Sequence, residues 1–205
     1  ARSLAIQEEI DDKRGMGYSL NSIGNVHKNK GDYEIALDYY GRSLKIREEL
    51  DDKRGMGSSL RNIGIVHADK GDYSKALDYY ARSLAIQEEI DDKRGMGYIL
   101  NSIGIVHYYV GDYNRAAEHL EKSLVIQKEI EFKEEILFTT TCLYLTYKYL
   151  GKDYDENEIH SLIKDAEDIE FEVNYVLYEL FDDTSYLETA YMQIQEKVDN
   201  LEPDI

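Results

Sequence analysis

The chain repeats itself at an interval of forty residues, and that period constrains its fold more than any local feature. "DDKRGMG" occurs at positions 11, 51 and 91, and "ARSLAIQEEIDDKRGMGY" fills 1–18 and returns unchanged at 81–98. In register, "LNSIGNVHKNKGDYEIALDYYGRSLKI" from Leu20 aligns with "LRNIGIVHADKGDYSKALDYYARSLAI" from Leu60 and "LNSIGIVHYYVGDYNRAAEHLEKSLVI" from Leu100. Such a period marks a stack of like units, each burying its apolar face against its neighbours.

Each unit reads as two helices. Leu20, Ile23, Val26 and His27 form one apolar stripe. Tyr33, Ala36, Leu37, Tyr40 and Leu44 follow the three-and-four spacing of a second amphipathic helix. Between them, Gly31 suits a left-handed stop and Asp32 a helix N-cap. Gly24, Gly64 and Gly104 fall inside the first helices, which implies a close crossing there, with Ala36, Ala76 and Ala116 as the expected small counterparts. In "EEIDDKRGMG" an Asp is expected to cap the next first helix. Lys and Arg behind it are expected to pair with the Glu residues that end the preceding helix, giving a solvated junction rather than a site.

A single Pro in 205 residues suits long helices with tight connections. The one cysteine, Cys142, rules out an internal disulfide and reads as a core residue in "TCLYLTY", consistent with a cytoplasmic setting. The net charge of −18 is uneven: residues 131–205 hold 20 acidic and 5 basic side chains, residues 1–130 hold 22 and 19. This balance argues against nucleic acid or an anionic membrane as a partner and would steer a basic surface to the C-terminal section. No apolar run reaches membrane-spanning length, and "ARSLAIQEEI" is not a signal peptide. The sequence opens partway through a repeat, so Leu4, Ile6 and Ile10 are expected to form an exposed edge prone to self-association.

The residues offer no site for chemistry. His27, His67 and His107 recur every forty residues. A shared metal would need their nitrogens converging on one ion, whereas neighbouring repeats sit about 10 Å apart, one helix-packing distance. "GMGYSL" lacks the third glycine of a dinucleotide fingerprint, and "DYDENE" lacks the glycine and closing glutamate of a calcium loop. No metal, no cofactor and no catalytic residue is assigned, and the chain is expected not to be an enzyme.

The units resemble tetratricopeptide repeats in their 40-residue form, similar to those of kinesin light chains and bacterial signalling proteins. The residues that carry the resemblance are Leu20, Ile23-Gly24, His27, Gly31, Ala36, Tyr40 and Ser43, then Leu60, Ile63-Gly64, His67, Gly71, Ala76, Tyr80 and Ser83, then Leu100, Ile103-Gly104, His107, Gly111, Ala116, Leu120 and Ser123. His replaces the usual Tyr and Ser the last Ala. The resemblance implies an all-α, right-handed superhelical solenoid of antiparallel helix pairs. The expected divisions are 1–16 (second helix of a truncated repeat plus junction), repeats at 17–56, 57–96 and 97–136, a divergent repeat at 137–171 with Tyr144 in place of the small Gly, and acidic capping helices at 172–205.

By family geometry the first helices line a concave groove. The inward positions are Tyr18, Asn21, Asn25 and Lys28 in one repeat, Ser58, Arg61, Ile65 and Ala68 in the next, and Tyr98, Asn101, Ile105 and Tyr108 in the third. Asn62 lies where relatives hold a peptide backbone, a task an amide can perform as donor and acceptor. The resemblance implies a scaffold that binds a peptide or helix of a protein partner in that groove. The alternative is a regulatory or sensor segment of a larger bacterial signalling enzyme, such as a cyclase, kinase or transcriptional regulator.

Overall fold

The computed structural model describes residues 7, 10, 12–166 and 168–199. Among these there are ten helices and no strand. They are α1 (Lys13–Asn29), α2 (Tyr33–Glu49), α3 (Lys53–Asp69), α4 (Tyr73–Glu89), α5 (Lys93–Tyr109), α6 (Tyr113–Glu129), α7 (Lys133–Leu150), α8 (Glu156–Asp165), α9 (Phe171–Phe181) and α10 (Thr184–Asp199). Within the first unit α1 packs on α2 and α3 on α4, and within the second α7 packs on α8 and α9 on α10, the consecutive helix pairs of the all-α repeat fold. The chain forms two compact units, residues 1–106 and 107–205. Of the expected N-terminal edge, Leu4 and Ile6 lie outside the described residues, and Ile10 is exposed.

The turns explain the repeated motifs. Helix α1 ends in a six-residue hydrogen-bonded closure in which Asp32 N donates to His27 O at 2.9 Å and Gly31 N to Lys28 O at 2.9 Å. Gly31 stands at φ +80°, the left-handed conformation this closure needs. The second helices end the same way, with Asp52 N on Arg47 O at 2.9 Å and Asp92 N on Gln87 O at 2.9 Å. Here, however, the left-handed position is held by Asp51, Asp91 and Glu131, at φ 51°, 51° and 53°. The following Asp then caps the next first helix. Asp12, Asp52 and Asp92 accept from the amides of Gly15, Gly55 and Gly95 at 2.9, 3.1 and 3.1 Å. "DDKRGMG" is thus a helix stop and a helix start fused into two residues.

The ion pairs seen for this motif run to a different helix end from the one expected. Lys13 reaches Glu49 at 3.1 Å and Lys53 reaches Glu89 at 3.4 Å, at the end of the second helix that follows, while Arg54 Nε meets Asp92 at 3.3 Å. In these two pairs the start of the first helix lies beside the end of its antiparallel partner, which brings the charges together.

Packing is by glycine against tyrosine rather than small against small. A Cβ on Gly24 would lie 2.6 Å from the Tyr40 ring, and one on Gly64 2.5 Å from the Tyr80 ring. Tyr40 and Tyr80 are fully buried. Each anchors a cluster that crosses to the next repeat: Ala36 and Tyr40 with Ile63 and Val66, then Ala76 and Tyr80 with Ile99, Ile103 and Val106. Val66 and Val106 are buried there, whereas the matching Val26, expected in the apolar stripe, is exposed. The serines that replace the last Ala are fully buried: Ser43 donates to Gly17 O at 2.7 Å and Ser83 to Gly57 O at 2.8 Å.

In the second unit α7 and α8 occupy most of the stretch 137–171 expected as a divergent repeat, with α7 starting earlier, at Lys133. Tyr144, at the position of the small glycine, is buried, lies beside Tyr147 and Tyr154 at ring separations of 6.0 and 5.4 Å, and donates to Glu158. Asp155, set aside as a calcium ligand, caps α8 by accepting from Asn157 N at 3.0 Å. Cys142 is buried, which pushes its thiol pKa up.

Candidate functional site: the first-helix face of the N-terminal unit

The candidate residues of the first unit lie on α1, α3 and α5, and contacts across the helices draw several of them together. Asn62 is buried, and its amide nitrogen donates to Asn21 Oδ1 at 3.1 Å and Asn25 Oδ1 at 3.4 Å. Asn25 Oδ1 also accepts the Tyr40 hydroxyl at 2.7 Å. Asn21, Asn25, Asn62 and Tyr40 therefore form one amide–phenol network joining α1 to α2 and α3. Desolvation raises the Tyr40 pKa to about 12, which keeps the hydroxyl a donor throughout the physiological range.

Beside this network the side chains change character. The Arg61 guanidinium lies over the Tyr98 ring, 4.9 Å from its centroid, bridging α3 and α5. Ile65 and Ala68 pack on the cluster around Tyr80 while remaining part-exposed. Ile105 is likewise part-exposed on α5. Asn101, at the position matching Asn21 and Arg61, is buried, and its Oδ1 has no hydrogen-bond partner. Lys28 is half-buried, and its charge opposes the desolvation that raises the Asp69 carboxyl pKa. Tyr18 is exposed, with Arg47 5.2 Å from its ring centroid. Ser58 donates to Arg54 O at 3.1 Å on its own helix.

Tyr108 belongs to the second unit. It forms an aromatic cluster with Tyr113 and Tyr149, at ring separations of 5.6 and 5.7 Å. The sequence did not indicate Arg47. It is buried, donates from Nη1 to Gly55 O at 2.5 Å and Ser59 Oγ at 3.2 Å, and burial lowers its pKa. The matching positions in the next two repeats hold Gln87 and Gln127, both buried. That change from Gln to Arg within an otherwise faithful repeat is the one sequence signal that could have singled Arg47 out.

The recurrent histidines do not converge. His27 stacks on Tyr39 at 5.6 Å, His67 on Tyr79 at 5.4 Å and His107 on His119 at 5.3 Å, each within its own helix pair. Among the described residues no group of three or more His, Cys, Asp or Glu side chains could hold a metal. No described helix is long and apolar enough to cross a membrane.

Comparison with known proteins agrees with this geometry. The tetratricopeptide repeat model matches residues 15–89 and 55–129. No curated protein sequence matches the chain. Among solved structures, apo RapI superposes with a TM-score of 0.76 at 17% identity, covering 93% of this chain and 55% of that one. A Rap protein complexed with competence and sporulation factor gives a TM-score of 0.72 at 17% identity, with 92% and 54% covered. A signal transduction ATPase with numerous domains and a tetratricopeptide repeat sensor, from Pyrococcus horikoshii, gives 0.68 at 17% identity, with 96% and 33% covered. The chain thus spans about half of the two Rap proteins and a third of the ATPase. At these identities the likeness is one of fold. The family match covers more than half the chain, from Gly15 through the end of α6, and takes in the helix pairs, glycine turns and buried tyrosines described above: the chain belongs to the tetratricopeptide repeat family.

Proposed function

We propose that the first-helix face of the N-terminal unit is a protein-interaction groove that holds a peptide or helix of a partner protein. The observation that carries this reading is the juxtaposition, across α1, α3 and α5, of the Asn21–Asn25–Asn62 network with Arg61 over Tyr98 and with Ile65 and Ile105. Amides satisfy a peptide backbone in both directions, the guanidinium offers a planar donor fork, and the isoleucines supply apolar contact. The network also fixes the amides in place, which limits the ordering cost of binding. The role is non-catalytic, and the setting is cytoplasmic, in keeping with a single cysteine, Cys142, that is buried.

The experiment is selection of binding peptides from an array, followed by fluorescence anisotropy with the native chain. Asn25→Ala and Arg61→Ala should each weaken the selected peptides by about 1–2 kcal/mol, roughly five- to thirtyfold. Unchanged affinities in both variants would remove the groove from this face.

A second reading is favoured by one comparison: the chain aligns over 96% of its length with a third of an ATPase whose repeats are named a sensor. The same groove would then be the regulatory segment of a larger signalling protein. A reading frame that continues into a catalytic domain, with activity altered by Arg61→Ala, is the outcome it requires.

A further inference from the structure

The second unit carries an apolar groove distinct from the face just described. Its cavity is about 480 Å³, walled by Phe171 and Tyr175 on α9, Tyr191 and Ile194 on α10, Phe138 on α7 and Tyr109 at the end of α5. Large parts of this wall face outward: Tyr109, Tyr175, Tyr191 and Ile194 are 62%, 45%, 63% and 40% exposed. Leu187, which also lines it, and Met192 beside it are 36% and 62% exposed. Contiguous aromatic surface of this kind marks a place where something docks.

Charge restricts what that can be. Glu172 lines the groove itself. Residues 170–199, which make α9, α10 and their junction, hold eight carboxylates and one basic side chain, Lys197. Lys197 is paired with Glu170 at 3.0 Å, and its ammonium lies 4.4 Å from the centroid of the Phe171 ring. The aromatic wall thus already accepts a cation, over a ring face and next to a carboxylate. A second copy of the chain would present the same acidic surface and be repelled. The lining positions of α9 and α10 recur at spacings of three and four, so the walls are two helix faces, a groove that takes an amphipathic helix by its apolar stripe.

We infer that this groove binds a cationic amphipathic helix, with apolar side chains against Phe138, Tyr175, Tyr191 and Ile194 and its Lys or Arg residues on Glu172 and the neighbouring carboxylates. The bound helix shields the exposed rings, and the acidic surface accelerates its approach.

The test uses the full chain and three labelled peptides of about five helical turns. One carries Leu and Phe at three-and-four spacing among Lys and Arg. The second has the same composition scrambled out of register. The third has Glu in place of every Lys and Arg. Fluorescence anisotropy at low and physiological salt should show binding of the first, weakened by salt, with the other two at least about tenfold weaker. Tyr191→Ala and Glu172→Lys, both at exposed positions, should each weaken the first peptide at least about tenfold with unchanged circular dichroism. Arg61→Ala, in the other unit, should leave it unaffected, which separates this groove from the one proposed above. Equal binding of the scrambled peptide would overturn the inference in favour of charge alone. So would native-like affinity in both groove variants, or sedimentation showing that the face is closed by a second copy.

Discussion

Single residues decide how closely the helices approach. A Cβ on Gly64 would fall 2.5 Å from the ring of the buried Tyr80. Ordinarily Ala in place of a mid-helix Gly adds about 1 kcal/mol of helix propensity. Here overpacking outweighs it, and Gly64→Ala should lower the unfolding free energy by about 1–2 kcal/mol. In a Tyr80→Leu background the same substitution should become neutral or stabilising, and urea denaturation of the four proteins of that cycle measures the reversal. Asp91 gives a second case. At φ 51° it holds the left-handed position that glycine fills in the other turns. Asp91→Gly should stabilise the chain by up to about 1 kcal/mol, and Asp91→Val should destabilise it by at least as much, read from the same urea midpoints. The glycine positions were legible in the sequence, but the partner of Gly24 and Gly64 was not: spacing places a residue on a face, whereas the ring that fills the gap depends on rotamers of the helix opposite. For the same reason Arg47 was not legible, since Arg is ordinarily a surface residue and only the tertiary contacts bury it.

Among the elements, the helix pair is the unit that the forty-residue period encodes, and its two helices and both turns could be read directly. Gly31 breaks the first helix and Asp52 starts the next, each by local backbone chemistry that needs no distant partner. Sequence proximity points to the wrong partners for these ion pairs: antiparallel packing sets Lys53 beside Glu89, not beside the glutamates just before it. In the three regular pairs a histidine of the first helix stacks on a ring of the second, and at His67 and His107 this burial carries a pH dependence. Burial lowers the pKa of His67 below its ordinary 6.5. The unfolded chain then binds the proton first, so stability is complete above the unfolded pKa and declines as pH falls through and below about 6.5. His107 is shifted in the same direction by burial and by His119. His67→Phe keeps a ring on Tyr79 and removes one titrating group. The loss of unfolding free energy between pH 7 and pH 5 should therefore be smaller in that variant than in the native chain, as followed by urea denaturation at each pH.

For the whole molecule, the sequence distinguishes a balanced, repeated section from an acidic one, and the two proposals above assign each compact unit its own partner surface. The groove positions follow from the family's geometry, and nine of the thirteen named lie on α1 and α3. The register alone did not indicate that Asn62 is engaged with Asn21 and Asn25, because the pairing joins neighbouring repeats and depends on Asn25 and Asn62, each found once at its position in the array. Nor did it reveal the aromatic groove of α9 and α10, whose sequence has left the repeat pattern. The central claim is that the first-helix face of the N-terminal unit receives a partner peptide. The most direct measurement places the photo-crosslinking amino acid p-benzoylphenylalanine at Ile65 on α3, or at the exposed Arg82 on α4, and irradiates each chain with an array-selected peptide. The account predicts an adduct from position 65 and none from position 82. An adduct from position 82 alone would contradict it.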